Sequence, residues 1–317
     1  MNSILVVRLG AMADILHALP AVASLKKSFP DKRIYWVVAR KWIELLQGNP
    51  NIDEIVPFDR NGAGALAKTW RRLRGIRPEI AIDFQGLIQS AMAGRAARPE
   101  TYFGLTRSLA REPLAALFYS KRVEAPGPHR VETNLQLAAA AGAAVLTEES
   151  WIPPGRPEGE LPAGPFFLTS PLAGWTSKQW PLVCYEELGK RLRSRGLELV
   201  ANVPPGRERD LGRFTHLRLH TSSINGLIDA TRRAIGVVGV DSGPLHLAAA
   251  LSKSGVALFG PTDPAQNGPY KSRMTVLRAP GTQTTYKRHP QVDASMTRIS
   301  AERVAEELLR SIAVSSA

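Results

Sequence analysis

The stretch GVVGVDSGPLHLAAALSKSGVALFGPTDP, Gly236 to Pro264, decides the fold. It opens on a short apolar run, Gly236 to Val240, whose length and β-branched content read as a buried strand. The run ends in Asp241-Ser242-Gly243-Pro244. Proline has no N–H to lose and a φ already suited to a helix, so Pro244 sets the first turn of a helix over Pro244 to Leu251. Ser242 or Gly243 then falls near its N-cap. A second apolar run, Val256 to Phe259, leads into the turn-rich GPTDP. Strand, helix and strand in this order form a βαβ unit, and hence part of a parallel sheet.

The same alternation extends in both directions. Upstream lie a strand at Phe166 to Thr169, a helix at Pro181 to Arg195 and a strand at Leu197 to Val203. A helix at Glu208 to Phe214, a strand at Leu217 to His220 and a helix at Ile224 to Ala234 follow. Downstream, the last helix is expected at Ala301 to Ile312. Before all of these, IPPGRPEGELPAGP, Ile152 to Pro165, is rich in proline and glycine and reads as an interdomain linker. The first half repeats the alternation. Its strands are Ile4 to Val7, Ile34 to Val38, Ile52 to Phe58 and Ile80 to Phe84. Its helices are Ala13 to Ser28, one from about Leu87, Arg111 to Phe118 and Val131 to Ala141. Two βα series predict an α/β protein of two Rossmann-like doubly wound domains facing a cleft. Ligands in such folds bind at the carboxyl ends of the strands.

Composition narrows the class. The length of 317 residues suits two domains, and 44% hydrophobic with 22% charged residues excludes a disordered or fibrous chain. One cysteine, Cys184, excludes a disulfide framework and a cysteine-rich zinc site. The six histidines show no metal-ligand spacing. The opening MNSILVVRLGAMADILHALP lacks a basic leader, and Arg8 and Asp14 interrupt its apolar run, so it does not read as a signal peptide. No apolar run approaches the ~20 residues of a membrane span. The expectation is a soluble cytoplasmic protein. The net charge is +13. Between Arg60 and Arg130 there are 13 basic and 5 acidic residues. A local excess of this kind suits an anionic partner or remains a solvated surface.

Three loops carry candidate chemistry. The first strand leaves through Arg8-Leu9-Gly10-Ala11-Met12-Ala13-Asp14, where a carboxylate either complements a helix dipole or serves a reaction. The strand FFLTS leaves through PLAGWTSKQWP, in which Ser170, Gly174, Thr176, Ser177 and Lys178 make a small, polar, cationic loop. Such a loop can hold phosphate through hydroxyls, backbone N–H groups and an ammonium. The third is the Asp241 to Pro244 turn, with free helix N–H groups and His246 as a further donor. Asp241 would repel an anion, so its expected task is to orient the loop. There is no Asp-x-Asp for a nucleotide-bound Mg²⁺, no G-x-G-x-x-G, no Walker loop and no G-x-S-x-G.

These motifs together resemble glycosyltransferase family 9, the lipopolysaccharide heptosyltransferases. GAMADILHALPAV, YWVV, the K-x-W-P of Lys178 to Pro181, GVDSGPLHLAAAL and FGPTDP carry the likeness, in order, over nearly the whole chain. DFQGLIQSA and AREPLAALFY are most similar to the heptosyltransferase I branch, which adds the first heptose. The resemblance implies a GT-B fold. Residues 1–152 would bind the acceptor and residues 153–317 the donor. The final helix, about 301–312, would return to the N-terminal domain. It implies inverting, metal-independent transfer of heptose from ADP-heptose to the Kdo-lipid A inner core, with no cofactor, at the cytoplasmic face of the inner membrane.

Residue by residue, the resemblance makes Asp14 the general base and Lys178 the phosphate-binding lysine. Glu208, in PPGRERD, lies near the donor's ribose. Asp241, Ser242 and Gly243 form the donor loop, with Ser242 where threonine is commoner; Ser170, Thr176, Ser177 and His246 join them. Arg8, Gly10, Arg60, Lys121, Arg122 and His129 fall on the acceptor side, and the basic window suits an anionic membrane as well. Two other readings compete: a different GT-B enzyme, whether a family 9 transferase of another sugar or a nucleotide-sugar epimerase, and a basic nucleic-acid-binding protein. An epimerase leaves the basic window idle. Nucleic-acid binding leaves GVDSG unexplained, so no nucleic-acid partner is expected.

Overall fold

The computed structural model describes residues 2–211 and 214–315, and the side chains up to residue 312. Contacts divide the chain into Met1–Pro153 and Pro154–Ala317.

The first unit holds β1 (Ser3–Val7), α1 (Met12–Ser28), β2 (Arg33–Ala39), β3 (Glu54–Phe58), α2 (Ala63–Arg74), β4 (Ile80–Asp83), α3 (Ile88–Ala96), β5 (Thr101–Leu105), β6 (Lys121–Val123) and α4 (Arg130–Ala140). Its sheet runs β3-β2-β1-β4-β5-β6, all parallel. This is the doubly wound order, whose crossovers put helices on both faces. β1 therefore has no wet side, and every one of its residues is buried. Leu5 and Val7 face one core with Val37, Val56 and Ala81. The strand order reverses beside β1, so its carboxyl end, with Arg8 to Asp14, lies at the switch point where such sheets bind ligands.

The second unit holds β7 (Phe166–Thr169), α5 (Leu182–Arg193), β8 (Glu198–Val203), β9 (Arg218–Thr221), α6 (Ile224–Arg233), β10 (Gly236–Val240), α7 (Gly243–Ala250), β11 (Gly255–Phe259), α8 (Pro264–Asn267), β12 (Met274–Arg278), α9 (Ala294–Thr297) and α10 (Ala301–Ser315). Its parallel sheet, β12-β11-β10-β7-β8-β9, repeats the first unit's order. Here β7 and β10 flank the switch point, and the loops after them carry Lys178 and Asp241. Trp180, from the K-x-W-P motif, is wholly buried. Its indole N–H donates to Ile299 O at 2.9 Å, so the tryptophan anchors the lysine loop to the core. The closing helix α10, expected to reach back to the first unit, buries its apolar face in the second. Val304, Ala305 and Leu308 belong to the core formed with α5 and the sheet.

Several elements differ from expectation. β5, β6, β12 and α2 carried no expectation. β6 is only three residues of an edge strand with two exposed cations, which is how sheets blunt an edge but gives no apolar pattern. α2 turns only a narrow stripe, Leu66, Trp70 and Leu73, to the core. The helix expected at Arg111 to Phe118 is a tighter 3₁₀ segment, Pro113–Phe118. Of Glu208 to Phe214, Glu208–Asp210 is one 3₁₀ turn, and residues 212 and 213 lie outside the described residues. The proline-rich stretch is no free linker. The Glu158 carboxylate accepts from Ser223 N and Ser223 Oγ, both at 2.7 Å, and so docks on the start of α6. Among the described residues no helix is long and apolar enough to cross a membrane.

Candidate active site

In the first unit the chemistry gathers at the start of α1. Asp14 is its third residue, and one carboxylate oxygen accepts the Ala11 N–H at 3.1 Å. Arg8 pairs with the other oxygen at 2.7 Å, and Arg111 with the first at 3.3 Å. Burial works against the Asp14 charge, but Arg8, Arg111 and the Ala11 N–H outweigh it and hold the carboxyl below its usual range. Arg8 is buried; its second terminal nitrogen donates to Phe84 O, and its Nε has no hydrogen-bond partner among the described residues. A pocket at this point is lined by Arg8, Asp14, Gln85, Arg111, Arg130 and Thr133. Three guanidiniums around one carboxylate leave a net positive site suited to an anionic ligand.

DFQG supports that pocket from behind. Asp83, fully buried at the end of β4, accepts from Gln85 N, Ser90 Oγ and Tyr119 OH at 2.8 Å each, and from Gly86 N at 3.3 Å. Burial still raises its pKa above the usual value. The loop it fixes presents Phe84 O to Arg8, and Gln85 Oε1 to Leu9 N at 2.7 Å.

In the second unit the centre is Asp241. Lys178 Nζ lies 2.5 Å from one carboxylate oxygen, and Thr262 Oγ1 donates to the same oxygen at 2.8 Å. His246 Nε2 meets the other at 3.3 Å. Burial alone would favour the neutral acid. The His246 hydrogen bond and the Lys178 charge reverse that and hold Asp241 far below the usual carboxylate range. The expected orienting task is therefore concrete: one carboxylate ties together the loops after β7, β10 and β11. Ser242 is the N-cap of α7 but makes no side-chain cap bond, and Pro244 sits within the first turn. Among the described residues, the hydroxyls of Ser170, Ser177 and Ser242 are buried without a hydrogen-bond partner. Ser170 and Ser242 line one small pocket with Thr169 and Thr231. A buried hydroxyl left unpaired is costly, and this pocket, about 10 Å³, has room for a single water molecule.

The remaining expected residues divide. Thr176, Ser177 and Lys178 share one 3₁₀ turn. Gly243 begins α7. Glu208 lies after β8, its carboxylate accepting from Gly206 N at 3.1 Å. Gly10 approaches Trp42 so closely that a Cβ would stand 2.8 Å from the indole nitrogen, which makes it a packing position. Arg60 is exposed and bonds Gln89 at 3.1 Å. Lys121 and Arg122 lie exposed on the β6 edge, with Arg122 Nε on Ala116 O at 2.8 Å. His129 is buried and caps α4 through Nδ1, which accepts from Val131 N at 3.1 Å. None of these last four lines the Asp14 pocket, whereas Arg111 and Arg130 do. Arg111 sits in the quoted AREPLAALFY, Arg130 directly follows the expected His129, and Thr262 sits in FGPTDP. Their presence was legible, their direction was not.

The Asp241 pairing predicts an acid response. Its folded-state pKa lies below the unfolded value, near 4. The stabilisation is thus complete above about pH 4 and is lost as pH falls toward the folded value. In urea unfolding, wild type should lose stability below that pH more steeply than Asp241→Asn, by up to about 1.4 kcal/mol per pH unit. Parallel pH curves would show that the pair does not stabilise the fold.

Comparison with known proteins gives a consistent set. The profile of glycosyltransferase family 9 (heptosyltransferase) matches residues 66–295. The chain is 31% identical over 290 residues to a lipopolysaccharide heptosyltransferase 1 of Pseudomonas aeruginosa, covering 84% of this chain and 81% of that protein. It is 27% identical to the protein of that name in Escherichia coli K12, over 87% of this chain and 93% of that one. Among solved structures, the E. coli heptosyltransferase WaaC with ADP superposes with a TM-score of 0.79 at 23% identity, over 98% of this chain and 99% of that one. A Veillonella parvula family 9 glycosyltransferase reaches 0.81 at 18% identity, over 99% and 97%. At these identities the superpositions show the shared two-unit fold.

Proposed function

The chain belongs to glycosyltransferase family 9, and from that premise we propose that it transfers heptose from ADP-heptose to a Kdo-lipid A acceptor in lipopolysaccharide synthesis, with inversion and without a metal. The observation that carries the reaction is the Asp14 carboxylate, held ionised by Arg8 and Arg111 at the switch point of the first sheet. A sugar hydroxyl is a poor nucleophile until a base takes its proton. As the acceptor oxygen bonds to the anomeric carbon, the bond from that carbon to the diphosphate oxygen breaks. The hydroxyl proton passes to Asp14 and the electron pair leaves with ADP. Attack opposite the leaving group inverts the centre.

The second unit supports the donor half. Lys178 and the positive end of the α7 dipole at Gly243 are preorganised groups of the kind that stabilise a departing diphosphate. Arg111 and Arg130 suit the acceptor's carboxylates, and the exposed cations of β6 and α2 suit an anionic membrane surface. Peripheral attachment to the cytoplasmic face follows from that reading.

The test is mass spectrometry of a reaction containing ADP-heptose and heptose-free lipopolysaccharide. One added heptose is expected, with activity retained in EDTA. No added heptose defeats the proposed substrate. Activity that vanishes in EDTA and returns with Mg²⁺ defeats metal independence alone.

A further inference from the structure

The segment after β12 runs back across the second unit's site, fastened at both ends to loops that build it. Thr285 N donates to Pro261 O at 2.7 Å, beside the Thr262 that bonds Asp241. Asp293 N donates to Ser177 O at 3.3 Å, beside Lys178. Tyr286 OH adds a bond to Gln266 at 2.6 Å. Between the anchors stands Lys287-Arg288-His289, all exposed.

Arg288 lies over the indole of Trp175, 4.7 Å from the ring centroid, and Lys178 Nζ lies 4.3 Å from the same ring. The two cations differ in what else they touch. Lys178 is already paired with Asp241 at 2.5 Å. A diphosphate arriving at Lys178 therefore meets a carboxylate as well. Arg288 makes no ion pair or side-chain hydrogen bond among the described residues. Stacking uses the face of a guanidinium and leaves the N–H donors around its edge free for phosphate oxygens.

We propose that Arg288, stacked on Trp175 by the 285–293 strap, is the second cation of the donor site and binds the diphosphate of the nucleotide sugar. This rests on the donor reading above. It assigns three tasks: Trp175 sets the position of Arg288, Arg288 contributes the charge that Lys178 shares with Asp241, and the strap joins the loops of β7 and β11 across the ligand.

Isothermal titration with ADP and with adenosine, using wild type, Arg288→Ala, Arg288→Lys and Trp175→Ala, tests it. A hydrogen bond to a charged group corresponds to roughly tenfold or more in affinity, so Arg288→Ala should weaken ADP about tenfold. Adenosine, which lacks the diphosphate, should bind the variant as it binds wild type. Arg288→Lys keeps the charge but not the fork or the stack and should fall between. Trp175→Ala should resemble Arg288→Ala. Arg288 is exposed, and unchanged thermal unfolding will show that its variants are folded. ADP affinity unchanged in Arg288→Ala overturns the inference while leaving the donor reading intact. An equal loss for ADP and adenosine overturns it too, because the effect would not lie at the diphosphate. Wild type that binds no ADP overturns the donor reading itself, and the inference with it.

Discussion

Asp14→Asn should lower turnover by ~10²–10⁴-fold, the range for losing a general base, while ADP affinity stays close to that of wild type. The asparagine keeps the shape of the carboxylate and can still accept from Ala11 N. It cannot take a proton, and it no longer balances Arg8 and Arg111. The two guanidiniums also make Asp14 a weak base, since they hold its pKa down. Proton transfer therefore has to accompany C–O bond formation, when the hydroxyl has become acidic, rather than precede it. The pH profile should follow: an acid limb from Asp14 lies below that of an ordinary aspartate, because Arg8 and Arg111 lower its pKa. Turnover above a tenth of wild type in Asp14→Asn would leave Asp14 as only the partner of Arg8.

Lys178→Ala should both weaken ADP binding and slow the reaction, the latter by ~10²–10³-fold, as when one preorganised donor is removed from developing charge. The loss has two components. The ammonium goes, and Asp241 is left facing the ligand with only His246 and Thr262 to balance it. The second component can be measured. In Lys178→Ala/Asp241→Asn the repulsive carboxylate is gone, so ADP affinity should recover part of what the single variant lost. Contacting residues give non-additive effects of this kind. Titrations in which the double variant is weaker than Lys178→Ala would mean that Asp241 acts only as a loop tie. Unchanged ADP affinity and unchanged turnover in Lys178→Ala would remove the lysine from the site.

The strands most legible in the sequence were those buried on both faces. β1, β7, β10 and β11 are continuous apolar runs because helices cover both sides of the sheet. β6 and β12 were missed where that cause is weaker: β6 is a short edge strand, and β12 mixes exposed with buried positions; β5, TYFGL, alternates half-buried with buried residues and holds a glycine. For the site, strand-end loops pointed to Asp14, Lys178 and the Asp241 turn, and the structure gives each a built surrounding. What position along the chain could not supply was direction. His129 and Arg130 are neighbours, yet one is spent capping α4 and the other lines the pocket. Asp83 looked like part of a motif, and its work is to hold the loop that positions Arg8. Asp241 looked misplaced beside an anion until its partners, Lys178 and Thr262, 63 and 21 residues distant in the chain, were in view.

The all-parallel pairing of both sheets sets the order in which the chain can fold. A parallel pair cannot close through a tight hairpin, so every rung waits for a crossover. β1 is flanked by β2 and β4, and its second edge stays open until Ile80–Asp83 has been synthesised. In the second unit, β7 meets β10 only when Gly236–Val240 is available, well after its other neighbour, β8. During translation the first strand of each unit, β1 and β7, therefore emerges well before the partner on one of its edges. Non-local pairing of this kind slows folding and lengthens the time for which edges are exposed. The interval of longest edge exposure in the nascent chain is thus the synthesis of the stretches between β1 and β4 and between β7 and β10.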